Sequence, residues 1–506
     1  MNRTGAMEET KARFGQHVQH KQDLELQKVS TTLTGKTMSN IKQNISSRKI
    51  APLRQTDLWR RSLRLRQFCV VLLVILCLRH FLQLRRPLGN SNKTAIPPHA
   101  YHVHHEMPQP RIEPEQCDMT NTLKTRQFGF NITNEGPNQW QLLDSVQTTR
   151  KNFRGRILVE RGAPSQGSDI EVHVTARSSE QARLDDLTFA ESKSTLTIGY
   201  DLEEMAALCT DFDIVVHLRP NIEQVVELFE IRTNTLDIWF EQGLGWKVNN
   251  FITHTSYGET RMMAFRPFPD RMVAHNISVS STYGLLTGEF VLPKENLELH
   301  NTDGEIGVYI FPNLLDTTER IYTKSISVST GSGPLTLMSS PSLPWPVQDY
   351  THRLSISSVS GDIRAQTPHG SFTNYSSVSG DITCHIQPFS TNLQNAKNEI
   401  YTKSMLGNLD VRVGDVFQQS HRQYNPLLNT VSEHSVEKGR LELAYGHDWF
   451  GDVEANIGQG KLEFGGTSMK KVQKKKGSVK GRRGSKGESM INAHVVSGEL
   501  DLKLGL

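Results

Sequence analysis

The sequence predicts a mainly β fold: a stacked, β-solenoid or β-helix-like body that follows a single transmembrane helix and a disordered N-terminal tail. Three observations lead there. The heptapeptide SSVSGDI occurs at 357–363 and again at 376–382, a spacing typical of stacked repeats. Short stretches of apolar/polar alternation running through a glycine recur along the second half of the chain, and period two marks a strand with one buried face. The apolar stretch within 63–84 (LRLRQFCVVLLVILCLRHFLQL) is bracketed by basic residues, as an anchor helix requires.

Residues 1–62 read as a disordered, basic cytosolic tail. Up to Gln67 the chain has 14 Lys/Arg against 5 Asp/Glu, or +9, which leaves −5 for the remainder of a chain whose total is +4. The tail is too polar to form a core. No aromatic or structured motif accompanies its charge, so no nucleic-acid partner is expected. Residues 63–86 read as a type II signal-anchor. The uninterrupted apolar run, 68–78, reaches spanning length if Arg64, Arg66, Arg79 and His80 snorkel toward the headgroups. The greater basic density on the N-terminal side puts that side in the cytosol and the body in a lumenal or extracellular space. Which membrane it occupies is not written in the sequence. Residues 87–116 form an extended Pro/His-rich linker. His99, His102, His104 and His105 crowd there, either as transition-metal ligands or as a solvated cluster with no fixed geometry.

Residues 117–506 read as the β-rich repeat domain. In the two heptads, Val359, Gly361, Ile363 and Ala365, and then Val378, Gly380, Ile382 and Cys384, are expected on the inward face. Gly304, Gly361, Gly380, Gly407, Gly451 and Gly498 are expected as structural repeat glycines, and the segment Leu286-Gly288-Phe290 fits the same pattern. The stretch 225–240 reads as two strands around a turn at 233–235. The segments 185–191 and 202–209 read as short helical turns. A flexible basic loop, 469–487, interrupts the pattern and contributes Lys470, Lys471, Lys474, Lys475, Lys476, Lys480, Arg482, Arg483 and Lys486. This loop is a candidate anion-binding site for lipid headgroups or glycans, or else a solvated insertion.

No nucleophile elbow, zinc-protease motif or nucleotide-binding loop is present. No catalytic residue, cofactor or metal is therefore assigned. An acidic residue follows many of the glycines: Glu289, Glu305, Asp362, Asp381, Asp452 and Glu499. These could form Ca²⁺ ligands or the acid/base pair of a glycan-cleaving enzyme, but Gly-Asp is also a favoured turn pair. Five cysteines are too few for a disulfide scaffold. Cys384 is expected buried, which leaves Cys117–Cys209 as the pair to consider. Sequons at Asn92, Asn131, Asn276 and Asn374 are candidate N-glycosylation sites.

The serial turns SSVSGDI, HNTDGEIGV and HVVSGELDL, with DIVVHLRP leading into LFEIRTNTLDI, resemble the family of unknown function named for putative adhesins, in its fungal single-pass membrane form. The resemblance covers about 196–506. It implies a right-handed β-solenoid or β-helix and carries no catalytic residues to transfer. The expected function is therefore a membrane-anchored, non-enzymatic body that presents an interaction surface to a glycan, anionic lipid or protein. The alternatives are a carbohydrate-active β-helix enzyme, or a membrane scaffold that touches anionic lipid or glycan through the basic loop. The oligomeric state is left open.

Overall fold

The computed structural model describes residues 122–505, apart from 133–137, 145–152, 179–183, 186, 201–209, 221, 264–271, 313–322, 340–349, 394–396, 419–422 and 485–487. All of them belong to the second of the two units into which the chain divides, Pro110–Leu506. The tail, the anchor, the linker, Cys117, Cys209, Asn92 and Lys486 lie outside the described residues. No helix among the described residues is long and apolar enough to cross a membrane.

The described body is mainly β, with one 3-10 turn at Pro426–Asn429. From Lys247 to Ser404 each strand pairs in parallel with the strand two places later, so the chain advances in coils. Each coil lays one strand on a leading stack and one on a trailing stack. On the leading stack Val273–Ser281, Asn296–Asn301, Ser325–Thr330, Arg353–Ser358, Phe372–Ser377 and Asn398–Ser404 follow one another. On the trailing stack Leu286–Val291, Ile306–Phe311, Leu335–Ser339, Ile363–Pro368, Ile382–Gln387 and Leu409–Val413 do the same. The last three coils are the 16-residue strands Thr430–Tyr445, Ser489–Leu504 and Gly451–Gly466, which run through both stacks. Ser489–Leu504 is inserted between the other two.

Parallel pairing requires both sheet faces to be covered or solvated along the whole column. Here the inward faces of the two stacks cover each other. One inner row runs Val279, Leu299, Val328, Ile356, Tyr375, and the facing row runs Leu286, Ile306, Leu335, Ile363, Ile382, Leu409, Leu441, Leu500. All are buried. Each such aliphatic side chain contributes about 1.5–3 kcal/mol of burial. Cys384 is buried among them with a free thiol, as expected.

Four residues separate the leading from the trailing strand in every one of these coils, from Ser281 to Leu286, Ser358 to Ile363 and Ser404 to Leu409 alike. The return connection varies. It is three residues from Pro368 to Phe372 and sixteen from Val413 to Thr430. This explains the irregular spacing in the sequence: the coils keep register although their lengths differ.

The constant corner carries a glycine ladder. A Cβ on Gly361 would lie 1.8 Å from the carbonyl oxygen of Gly333, and a Cβ on Gly380 2.1 Å from that of Gly361. Gly258, Gly284, Gly304, Gly333, Gly361, Gly380, Gly407, Gly439, Gly498 and Gly460 succeed one another in this way. Five of the six expected repeat glycines belong to the ladder. Gly451 does not. It opens the strand Gly451–Gly466 and abuts the Ser489 carbonyl. Gly288 also stands apart, inside the strand Leu286–Val291, and the ladder glycine of that coil is Gly284.

Other expectations are corrected. Val359 and Val378, expected inward, face outward, 57% and 42% exposed. The corner inserts two outward residues before each glycine, so the two-residue period of the strand does not carry through it. Residues 187–191 of the expected helical turn are a strand, Leu187–Glu191. The basic segment is a β-hairpin, Met469–Lys475 and Ser478–Arg483, rather than a flexible loop. The two strands around 233–235 are present as Val226–Thr233 and Asp237–Phe240.

Replacing Gly361 by alanine should remove about 3 kcal/mol or more of stability, since a Cβ there overlaps backbone that cannot move alone. Gly465, with no heavy atom within 4 Å of its Cβ position, is the matched control and should tolerate alanine within about 0.5 kcal/mol. Thermal unfolding of the two variants measures this. A Gly361→Ala protein that melts with the parent would remove the ladder as the organising contact.

Candidate interaction surface

The corner is built from Ser, Thr or Asn three residues before the glycine. The buried side-chain oxygen accepts from the glycine N–H: Thr255 from Gly258 at 3.0 Å, Ser281 from Gly284 at 3.0 Å, Asn301 from Gly304 at 2.9 Å, Ser377 from Gly380 at 2.8 Å and Ser404 from Gly407 at 2.9 Å. This bond closes a tight local turn and ends the strand. In the last three coils the position is Val436, Val495 or Ile457, which offer no acceptor. The strands there continue through the corner over glycines with φ of +148°, +143° and +127°.

Four of the six acidic residues behind the glycines, Glu305, Asp362, Asp381 and Glu499, align along this corner, despite the unequal coil lengths. The two middle ones are engaged by the next coil. Asp362 Oδ1 accepts from the Asp381 N–H at 3.0 Å, and Asp381 Oδ1 accepts from the Asn408 N–H at 2.7 Å. Asn408 Oδ1 in turn accepts from the Arg440 N–H at 2.9 Å. An amide therefore does the same work as a carboxylate. Glu305 and Glu499 occupy the same column, as the registers of Ile306 and Leu500 require. Asp452 lies elsewhere and pairs with Arg482 at 2.7 Å. Glu289 lines a largely apolar hollow with Leu244, Phe251, Met262, Met272 and Phe290. The six carboxylates do not converge on one cleft, and among the described residues no group of three or more His, Cys, Asp or Glu could hold a metal ion.

Between the buried hydroxyl and the glycine, two residues per coil point outward. Successive coils carry Ser256-Tyr257, Thr282-Tyr283, Thr302-Asp303, Gly331-Ser332, Val359-Ser360, Val378-Ser379, Met405-Leu406 and Glu437-Lys438. Backbone bonds stack them, as from Ser379 N–H to Val359 and from Leu406 N–H to Val378. Val359, Val378, Met405 and Leu406 thus form an exposed apolar ridge over three neighbouring coils. The fold does not require apolar residues at this position, because the flanking coils use polar ones. The sequence contained the ridge, but the alternation rule placed its valines inside.

The eight described basic residues of the hairpin segment divide by role. Arg483 is buried and anchors the hairpin. Its guanidinium donates to the carbonyls of His447 at 2.8 Å and Thr467 at 3.2 Å, and stacks 5.0 Å from the Phe450 ring centre. Lys480 and Arg482 pair with Glu454 and Asp452, each at 2.7 Å. Lys470, Lys471, Lys474, Lys475 and Lys476 are exposed. Four of these lie on the outer strand, where a register shift between Lys470 and Gln473 and a φ of +52° at Lys471 distort the edge. Lysines and a bulge are standard protection against edge-to-edge pairing.

The sequons occupy different settings. Asn131 is exposed beyond the strand Thr122–Phe130. Asn276 sits in a ladder of stacked amides, donating to Asn250 Oδ1 at 3.1 Å and accepting from Asn296 at 2.8 Å. Asn374 lies mid-strand, 3.4 Å from Ser355 Oγ.

Among the described residues, the interior holds three buried histidines that alternation did not reveal. His434 sits between Thr402 Oγ1 and the Tyr445 hydroxyl, each at 2.8 Å. His352 lies 3.3 Å from the Pro368 carbonyl, and His369 lies 2.9 Å from Thr373 Oγ1. Burial disfavours the imidazolium. It pushes His434 and His369 down to about 3 and His352 to about 4.

No known family's sequence profile matches the chain, and no curated protein does. Among solved structures, a putative cell adhesion protein from Clostridium sporogenes aligns at 10% identity, covering 76% of this chain and 100% of that one, with a TM-score of 0.14. At that score the likeness carries no argument.

The histidines make stability depend on pH. In the unfolded chain they take up protons near 6.5, whereas in the fold they stay neutral down to about 4 or 3. Below 6.5 the unfolded state therefore binds more protons, and stability is lost as pH falls, by up to about 1.4 kcal/mol per pH unit for each histidine. The urea midpoint should be level above pH 7 and fall between pH 6.5 and 5. A midpoint that is level over that whole range would contradict the buried neutral imidazoles.

Proposed function

We propose that the chain is a membrane-anchored, non-enzymatic β-solenoid whose body presents a rigid interaction surface on the lumenal or extracellular side. The observation that carries the interaction role is the apolar ridge of Val359, Val378, Met405 and Leu406. Exposed contiguous apolar side chains that the fold does not need mark contact surfaces. The coil geometry supports the rigid role: five corners are held by a side-chain cap within the coil, and the ladder glycines contact the backbone of the neighbouring corner. The anchor and its orientation rest on the basic residues that bracket 68–78 and on their asymmetry.

The competing reading, a glycan-cleaving enzyme, needs carboxylates free to exchange protons with substrate. Asp362 and Asp381 are instead acceptors for the next coil. The Asp362→Asn, Asp381→Asn double variant separates the two. Since Asn408 performs the same bond as an amide, the double variant should melt within about 0.5 kcal/mol of the parent, whereas alanine at each site costs about 1 kcal/mol. Neither protein should release reducing ends from labelled oligosaccharides. Hydrolysis by the parent that disappears in the asparagine variant would overturn the non-enzymatic reading.

The orientation predicts N-glycans on the body. Asn131 should be occupied before Asn276 and Asn374, because its amide is exposed while the Asn276 amide is held in a ladder. Glycosidase treatment of the full-length protein from cells should increase its gel mobility, and peptide mass spectrometry should locate the glycan. A mobility unchanged by the enzyme would place the body on the cytosolic side.

A further inference from the structure

The two stacks have four ends, and three of them close with antiparallel strands. At the N-terminal side Leu187–Glu191 lies antiparallel on Thr195–Tyr200. On the other stack Ile170–Ser178 lies antiparallel on Thr210–Leu218, with Thr122–Phe130 antiparallel beyond it. At the C-terminal side the hairpin caps only the first part of the last coil, Ser478–Arg483 pairing antiparallel with residues 451–456. The rest of that coil, 458–466, pairs with Ser489–Leu504 on one edge and with no described strand on the other.

This bare edge differs from the protected one beside it. Its sequence is GQGKLEFGG, with no proline, and nothing within 4 Å of the Gly465 Cβ position. Lys461 and Glu463 point outward and pair with each other. On the inner face Leu462 and Phe464 are half-buried against the core. Their counterparts one coil below, Leu500 and Leu502, are fully buried. One more strand would satisfy the open backbone groups and finish covering these two side chains.

We propose that residues 458–466 accept a single extended peptide strand from a protein partner. The strand would alternate apolar residues, set over Leu462 and Phe464, with outward charges: acidic beside Lys461 and basic beside Glu463. A second copy of the body does not fit. The hairpin adds two strands, about 9.5 Å, above the other half of the same coil, where a stacked coil from a second copy would lie. The linker at 87–116 is poorly suited, because Pro87, Pro97, Pro98, Pro108, Pro110 and Pro114 lack the N–H that a ladder needs. The site rests on reading the body as an interaction module, and names the mode of that interaction.

The test uses full-length protein in detergent and a fluorescent peptide, VVSGELKLKL, which is residues 495–504 with Asp501→Lys. It sets Glu499 beside Lys461 and the new lysine beside Glu463, in the register by which 495–504 already pairs with the other edge of this strand. Saturable binding is expected, with amide hydrogen exchange at 458–466 slowed roughly tenfold. A peptide with prolines at the Leu500 and Leu502 positions should not bind. The Lys461→Glu, Glu463→Lys double variant should lose about tenfold in affinity and recover it with a charge-swapped peptide. Absence of binding, protection at another strand instead, or full protection of 458–466 before peptide is added (the chain covering its own edge) would each overturn the proposal. Glycan hydrolysis would remove the non-enzymatic reading without touching this site, and loss of the peptide effect would remove the site without touching that reading.

Discussion

The structure depends on one steric fact: the space that a Cβ would fill at each corner is occupied by the carbonyl oxygen of the corner below. Ten glycines repeat this contact from Gly258 to Gly460. It sets the rise between coils and fixes where each strand begins, so the inner rows of leucine, isoleucine and valine meet in register. The apolar burial supplies most of the favourable free energy. Without the corner contact, however, that burial would not select one register, since a slip by one residue exchanges the two faces of a strand.

Much of the fold was legible in the sequence. The alternation in Ile363-Arg364-Ala365 and Ile382-Thr383-Cys384 gave the inward face correctly, and five of the six glycines singled out in the sequence stand in the corner ladder. The corner itself was misread at Val359 and Val378, because a period of two was extended across a local turn that resets it. The missing signal was Ser, Thr or Asn three residues before glycine, a short-range cap visible in the sequence. The same signal separates the coils with a broken strand from those with Val436, Val495 or Ile457, where the strand runs through. Low complexity concealed the hairpin. Lysines that alternate with nothing apolar read as loop, yet Val479 and Arg483 are buried and hold it to the body.

The candidate site was legible only in part. The acid column was recognised as a set of turn residues, but its role in linking successive coils needs the register, which no single repeat contains. The buried histidines were invisible for a related reason. His434 takes the place that Ile356 and Tyr375 hold in earlier coils, and its polar atoms are satisfied by Thr402 and by Tyr445, which are distant in sequence from one another. Polar residues can enter such a core when partners from different coils arrive together.

The fixed four-residue corner and the variable return connection have a consequence for how this body can change. Every coil is pinned along one side, like the leaves of a bound volume, and open along the other. Growth by insertion is thereby confined to the open margin. The sixteen-residue passage from Val413 to Thr430 could lengthen further, or receive a whole folded module, while every neighbouring strand stayed in place. A single residue added at the pinned side would have no comparable outlet. New binding loops can therefore be gained on one flank of the molecule while the opposite flank keeps its spacing.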